Sequence, residues 1–200
     1  MAAPGRRQVF FTEDKLRSVD VSGGPVATLC DCLGAEGTWS ARDTILFATS
    51  QGIVSVAGKG GTTAKLTTIE PGEIAHLFPR LLPDARHFLY LATKLGQSSI
   101  YVADMNAGNR VKSRREILQV PTDSRRGTEG AVFVPPGFLL YRRGSTLMAQ
   151  RFDPDKTQIV GARSSLGTSS PLLCLRARYQ PRWRTTSLAR WTTSGLARRR

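Results

Sequence analysis

The sequence predicts an all-β chain, and three observations lead to that fold class. Short apolar runs rich in Val, Ile, Leu, Phe, Tyr and Thr are separated by turn residues along the 200 residues, a composition that favours strands. Successive runs pair as hairpins. The hairpins recur at four matched aromatic positions, Phe10, Phe47, Tyr90 and Tyr141, with a period of 37 to 51 residues. Because four-stranded propeller blades repeat at about 40 to 50 residues, we predict a partial β-propeller of about three to four antiparallel blades with an irregular basic C-terminal tail.

Two kinds of run define each hairpin. The runs of the first kind look alike, each follows a turn-like or basic step, and they occupy residues 8–12, 44–49, 87–92 and 137–142. The second kind alternates apolar and polar positions, as a half-buried strand requires, and occupies residues 15–21, 52–57, 99–104 and 146–152. We place the propeller segment at residues 1–170, with blades at roughly 5–33, 36–70, 75–120 and 129–167. One such sheet cannot bury both of its faces alone, so the blades are expected to stack.

The charge of the chain is concentrated at its C-terminal end. A net charge of +14 would ordinarily suggest nucleic acid or an anionic membrane as a partner. However, residues 1–155 hold all 15 acidic residues against 19 basic ones, whereas residues 156–200 hold ten basic residues and no acidic one. Residues 171–200 are therefore predicted to be a basic tail, either disordered or translated out of frame.

The tail also supplies an alternative function. It interleaves arginines with Tyr179, Trp183 and Trp191, and cationic and aromatic side chains together hold phosphates and stack on bases. Weak, non-specific adhesion to nucleic acid is therefore the alternative to a function of the propeller itself.

Five segments carry a resemblance to a known family. They are Lys15-Leu-Arg-Ser-Val-Asp-Val-Ser-Gly-Gly-Pro25, Gly37-Thr-Trp-Ser40, Leu82-Pro-Asp-Ala-Arg-His-Phe-Leu-Tyr-Leu91, Pro136-Gly-Phe-Leu-Leu-Tyr141 and Gly144-Ser-Thr-Leu-Met-Ala-Gln-Arg-Phe-Asp153. Their order and spacing, over residues 5–167, resemble the WD-repeat-like, Tol-type propeller that follows the kinase domain in many bacterial serine/threonine kinases. The chain departs from that family at Ala85, where the family has glycine, and it has fewer blades and no kinase domain.

The search for chemistry in the sequence finds no site. Kinase motifs and a Gly-x-Ser-x-Gly elbow are absent, and the glycines between Gly52 and Gly60 fit hairpin turns better than a phosphate loop. His76 and His87 are interpreted as packing or turn residues, and Cys30 and Cys32 as a pair of loop thiols with too few further ligands to hold a metal. We therefore predict no catalytic, cofactor-binding or metal-binding residue, no cofactor, and a chain that is not an enzyme.

The resulting functional prediction is a non-catalytic propeller module for protein interaction or sensing. The resemblance implies a fragment of a serine/threonine kinase-associated protein, with the parent kinase domain or another protein as partner; a kinase homologue that is inactive alone is a further alternative. Propellers bind through loops at one end of their axis, here predicted at residues 31–38, 72–80 and 121–129. With no secretory signal and no membrane segment in the sequence, the chain as written is expected in the cytoplasm, although the parent module could be extracytoplasmic.

Overall fold

The computed structural model describes residues 7–12, 14–105, 110–121 and 130–168, and this part of the chain is all-β. Its strands form four antiparallel sheets, which we call sheets I to IV in chain order. Sheet I contains β1 (Arg7–Thr12), β2 (Lys15–Asp20) and β3 (Ala27–Asp31). Sheet II contains β4 (Gly37–Trp39), β5 (Thr44–Thr49), β6 (Gly52–Ala57) and β7 (Ala64–Lys65). Sheet III contains β8 (Ala75–Leu81), β9 (His87–Thr93), β10 (Gln97–Met105) and β11 (Val111–Pro121), and sheet IV contains β12 (Val132–Val134), β13 (Phe138–Arg143), β14 (Thr146–Asp153) and β15 (Gln158–Thr168).

Each sheet is a simple meander, because hydrogen-bonded neighbours are also neighbours in the sequence. The predicted partial propeller of antiparallel blades is therefore confirmed. The matched aromatic residues are equivalent in structure, since each is the fourth residue of the second strand of its blade: β5, β9 and β13, with β1 as the counterpart in sheet I. The predicted basic tail, residues 171–200, lies outside the described residues.

Apolar side chains hold the sheets against one another. Residues that alternate along a strand point to opposite faces, so β5 sends Phe47 toward sheet I and Leu46 toward sheet III, and neither side chain has measurable solvent exposure. Three clusters result, one for each pair of adjacent sheets. Sheets II and III are thus packed against a neighbouring sheet on both of their faces.

Sheet I differs from the other three because it has three strands. By position in the meander, β1 corresponds to β5, β9 and β13, each of which pairs on its other side with the first strand of its blade. Among the described residues, no strand pairs with β1 on that side. The described segment therefore amounts to three complete blades and a partial first one.

The turn that departs from the resembled family has alanine in a backbone conformation typical of glycine. Ala85 adopts a φ of 52°, in the left-handed region that glycine occupies most easily. The Asp84 carboxylate stabilises the turn by accepting hydrogen bonds from the backbone N–H groups of Arg86 and His87, both at 2.9 Å. The described residues include no helix that is long and apolar enough to cross a membrane.

Candidate interaction surface

One end of the propeller collects the connections between blades. In sheets II to IV the first strand leaves this end, the second returns to it, and the third leaves it again. The connections that join one sheet to the next, residues 32–36 and 66–74, therefore lie at the same end as the turns at residues 94–96 and 144–145. We call this the connection end.

Three large apolar side chains are exposed on these segments. Leu33 is 68% exposed, Ile74 is 57% exposed and Leu95 is 90% exposed. The Ile74 N–H donates to the Thr93 carbonyl at 2.8 Å, which places Ile74 beside the strand end that leads to Leu95. Other exposed apolar residues lie elsewhere, including Val21 and Val26 in the turn at the opposite end. Apolar side chains that share an exposed surface are typical of sites that bind another molecule.

A buried polar network fixes the connection that carries Ile74. The imidazole of His76, which is fully buried, contacts the Thr67 hydroxyl through Nδ1 at 2.7 Å and a carboxylate oxygen of Glu73 through Nε2 at 2.8 Å. Because an ionised carboxylate only accepts, Nε2 carries the proton and Nδ1 accepts from the Thr67 hydroxyl. That hydroxyl in turn accepts from the Ile53 N–H at 2.8 Å. The network thus joins sheet II, the connection and the start of β8.

The charges of this network are set by burial and by one arginine. Burial lowers the pKa of His76, and the opposing effect of Glu73 does not overcome it. Burial alone would raise the pKa of Glu73, but hydrogen bonds from the Glu70 N–H and from His76, with attraction from Arg114, lower it instead. A neutral imidazole therefore lies against an ionised carboxylate whose side chain is 1% exposed and whose counter-charge is the Arg114 guanidinium at 3.4 Å.

Arg114 also connects the network to the aromatic face of sheet III. It donates to the Tyr90 hydroxyl at 3.2 Å and lies 5.0 Å from the centre of the Tyr101 ring. Burial raises the pKa of Tyr90 to about 12, so its hydroxyl stays protonated. The rings of Tyr90 and Tyr101 are themselves stacked, with centres 5.4 Å apart. This packing holds Arg114 in place beside Glu73.

The connection between sheets I and II, residues 32–36, is fixed by a disulfide and by close packing of a glycine. Cys30 and Cys32, predicted to be loop thiols, form a disulfide with Cα atoms 5.5 Å apart. Two residues further on, Gly34 packs so closely on the rings of Phe47 and Phe11 that an added Cβ would lie 2.6 Å and 2.8 Å from their carbons. Leu33 is therefore presented by a segment that is anchored on both sides.

A polar cleft opens between sheets III and IV at the connection end. It has a volume of about 350 Å³ and is lined by Gly96, Gln97, Gln119, Val120, Pro121, Arg143 and Arg163. The side-chain amide of Gln97 donates to that of Gln119 at 2.6 Å across β10 and β11. The cleft thus combines two guanidinium groups with two amides.

Of the three loops predicted to bind, the structure places residues 31–38 and the start of 72–80 at the connection end. In the third loop, Pro121 lines the cleft and residues 122–129 lie outside the described residues, as do the tail aromatics Tyr179, Trp183 and Trp191. Gly52 to Ala57 form strand β6.

Sequence reasoning missed the carboxylate partners of both histidines. Glu73 and His76 are three residues apart, as are Asp84 and His87, whose carboxylate and imidazole lie 2.5 Å apart. An acidic residue three positions before each histidine was the available signal. Lys15 and Asp31, which pair at 2.5 Å, gave no such local signal because they lie on different strands.

Comparisons with known proteins identify the fold and no closer relationship. No protein-family model and no curated protein matches the chain. Among solved structures, it is similar to an oligogalacturonate lyase in complex with manganese (TM-score 0.55, 13% identity, 77% of this chain and 42% of that one). It is also similar to the periplasmic gluconolactonase of Pseudomonas aeruginosa (0.58, 14%, 84% and 53%) and to TolB from Acinetobacter baumannii (0.54, 19%, 72% and 36%). These likenesses show that the chain has a β-propeller fold, and it spans about half the length of these proteins or less.

The prediction that the chain is not an enzyme is corrected by these comparisons. The solved structures that share its fold are mostly enzymes, including oligogalacturonate lyase, puromycin hydrolase and gluconolactonase. The motifs sought in the sequence belong to kinases and to hydrolases of other folds, whereas a propeller collects functional residues from loops of separate blades. The lack of a linear motif therefore gives no ground for excluding catalysis. At 13% to 17% identity the likeness establishes the fold alone.

Proposed function

We propose that this propeller segment acts in protein interaction or sensing, and that its partner binds at the connection end. The observation that carries the proposal is the exposure of Leu33, Ile74 and Leu95 on segments joined to well-anchored structure. Apolar anchors that are already ordered before binding lose little conformational entropy when a partner covers them. The occupant we propose is a protein segment that presents apolar side chains of its own.

The resemblance to the module of bacterial serine/threonine kinases supports a more specific context. We propose that the chain is part of a kinase-associated protein in which the propeller receives the signal or docks the partner. The coverage of 36% to 53% of the three propellers compared above supports the view that further blades belong to the functional unit.

The test selects binding peptides without assuming a partner. A phage-displayed library of random peptides is panned against the full chain, and the enriched peptides are measured by fluorescence anisotropy. We expect apolar peptides whose affinity falls roughly tenfold or more in a Leu33→Ser/Ile74→Ser variant, since each change removes an apolar side chain that the bound peptide would cover.

The matched control is Val21→Ser/Val26→Ser, which removes two exposed apolar side chains at the opposite end. This variant should bind the selected peptides as the unmodified chain does. Failure to enrich any peptide, or equal losses in the two double variants, would contradict docking at the connection end.

A further inference from the structure

We propose that the cleft between sheets III and IV binds a small organic oxyanion, through a carboxylate or phosphate group held by Arg143 and Arg163. The proposal does not depend on protein docking, because it concerns a separate concave site and a ligand of different chemistry. It rests on the charge, the neutral donors and the size of the cleft.

Among the described residues, no acidic side chain neutralises the positive charge of the cleft. Arg143 and Arg163 both line it, and none of the described lining residues is acidic. Within the described ranges, neither guanidinium is paired with a carboxylate, in contrast to Arg86, which pairs with Asp104 at 2.6 Å, and Arg114, which pairs with Glu73. Planar guanidinium groups bind carboxylates and phosphates through paired hydrogen bonds. Two arginines facing one cavity therefore form the positive half of an oxyanion site.

The strand pairing of sheet IV places Arg143 and Arg163 beside the cleft. Arg163 pairs with Gln150 across β14 and β15, and Gln150 is buried on the face toward sheet III. Residues opposite each other in a ladder share a face, so Arg163 belongs to the face that meets sheet III. Arg143 ends β13 at the same end of the propeller. The nearby Tyr141 experiences both cations: burial raises its pKa, while Arg163 and Arg143 each act to lower it.

The opposite wall supplies neutral hydrogen-bonding groups. The hydrogen bond between Gln97 and Gln119 uses one N–H of the first amide and the carbonyl of the second. The carbonyl of Gln97 and the amino group of Gln119 remain to contact hydroxyl or carbonyl groups of a ligand. A volume of about 350 Å³ lies within the range of small-molecule sites, roughly 300–1,000 Å³. The cleft therefore fits an organic anion with a polar body better than a bare ion.

The experiment titrates the full chain with inorganic phosphate, glucose 6-phosphate and citrate at constant ionic strength, because exposed arginines also respond to salt. Binding is followed by isothermal titration calorimetry and by the side-chain amide NMR signals of Gln97 and Gln119. We expect saturable binding of an organic anion with shifts of both amide signals. Preference for glucose 6-phosphate or for citrate identifies the ligand as a phosphate or as a carboxylate.

An Arg143→Gln/Arg163→Gln variant should bind at least tenfold more weakly, since two charge-assisted contacts are lost. The matched control is Arg42→Gln, which removes an exposed arginine from the turn at the opposite end; it should change the affinity less than twofold. Lack of saturation at constant ionic strength, or an equal loss in the control, would overturn the proposal. If the double variant does not fold, the shifts of the Gln97 and Gln119 amide signals in the unmodified chain still show whether the anion binds in the cleft. If the unmodified chain binds an organic anion but no selected peptide, only the docking proposal is contradicted. If it binds the peptides but no organic anion, only the proposal of an anion site is contradicted.

Discussion

Replacing His76 by leucine tests whether the buried network anchors the connection between sheets II and III. The substitution keeps an apolar side chain of similar size under Tyr90, whose ring centre lies 4.8 Å from that of the imidazole. It removes the two hydrogen bonds that His76 makes with Thr67 and Glu73. The carboxylate of Glu73, 1% exposed, is left with Arg114 at 3.4 Å and the Glu70 N–H at 2.9 Å.

The expected cost follows from these contacts. A hydrogen bond between neutral groups contributes about 1 kcal/mol and one to a charged group about 2 kcal/mol. We therefore expect the free energy of unfolding to fall by about 3 kcal/mol. Replacing both partners, in His76→Leu/Glu73→Leu, should recover about 1 kcal/mol or more relative to the single variant, because no buried carboxylate is then left without its imidazole.

The measurement is urea denaturation followed by near-UV circular dichroism. The matched control is His87→Leu, since His87 pairs with an aspartate that is 42% exposed, and exposed pairs contribute less than about 1 kcal/mol. A loss of stability in His76→Leu no larger than in His87→Leu would refute the anchoring role. So would a double variant less stable than His76→Leu alone.

Two further predictions concern the same region. The pKa of His76 is lower in the folded chain than its ordinary value of 6.5, so the unfolded chain binds more protons below that pH and stability should decline as pH falls through about 6.5. The pKa of Glu73 is also lowered, so its contribution is lost as pH falls further, below 4.5. Urea midpoints between pH 7.5 and 5 should show the first decline in the unmodified chain and a smaller one in His76→Leu; parallel profiles would contradict the assignment. Separately, Gly52→Ala would place a Cβ 2.4 Å from the Thr67 carbonyl oxygen at a φ of 119°, whereas Gly61→Ala, at 122°, meets nothing within 4 Å. Thermal unfolding should show Gly52→Ala less stable than Gly61→Ala by about 2 kcal/mol, the typical cost of overpacking, and equal losses would mean that only the backbone angle matters.

The sequence predicts the blades well because the signals of a meander are local. Alternation along β2 and the repeated aromatic position of Phe47 and Tyr90 can be read within one or two hairpins. The disulfide was harder to predict, because Cys30 lies in β3 and Cys32 follows its last residue, Asp31, and the sequence does not show that their Cα atoms lie 5.5 Å apart.

The candidate sites could be predicted only in part. The acidic residue three positions before His76 was readable. The other partners were not, because Thr67, which bonds to His76, lies in the connection after sheet II, and Arg114, which pairs with Glu73, lies on β11 of sheet III. The cleft likewise needs Gln97 from sheet III and Arg163 from sheet IV, which are brought together only by stacking of the blades. Predicting no catalysis from missing motifs failed for the same reason, because a propeller site has no continuous sequence signature.

The three-stranded sheet I has a consequence for handling the protein. Along the free side of β1, Arg7–Thr12, alternate backbone N–H and C=O groups face outward without a strand beside them in the described part of the chain. An unpaired edge strand of this kind can pair with an extended segment of another chain. Purified preparations should therefore associate with increasing concentration, and a short peptide designed to lie along β1 should keep them dispersed.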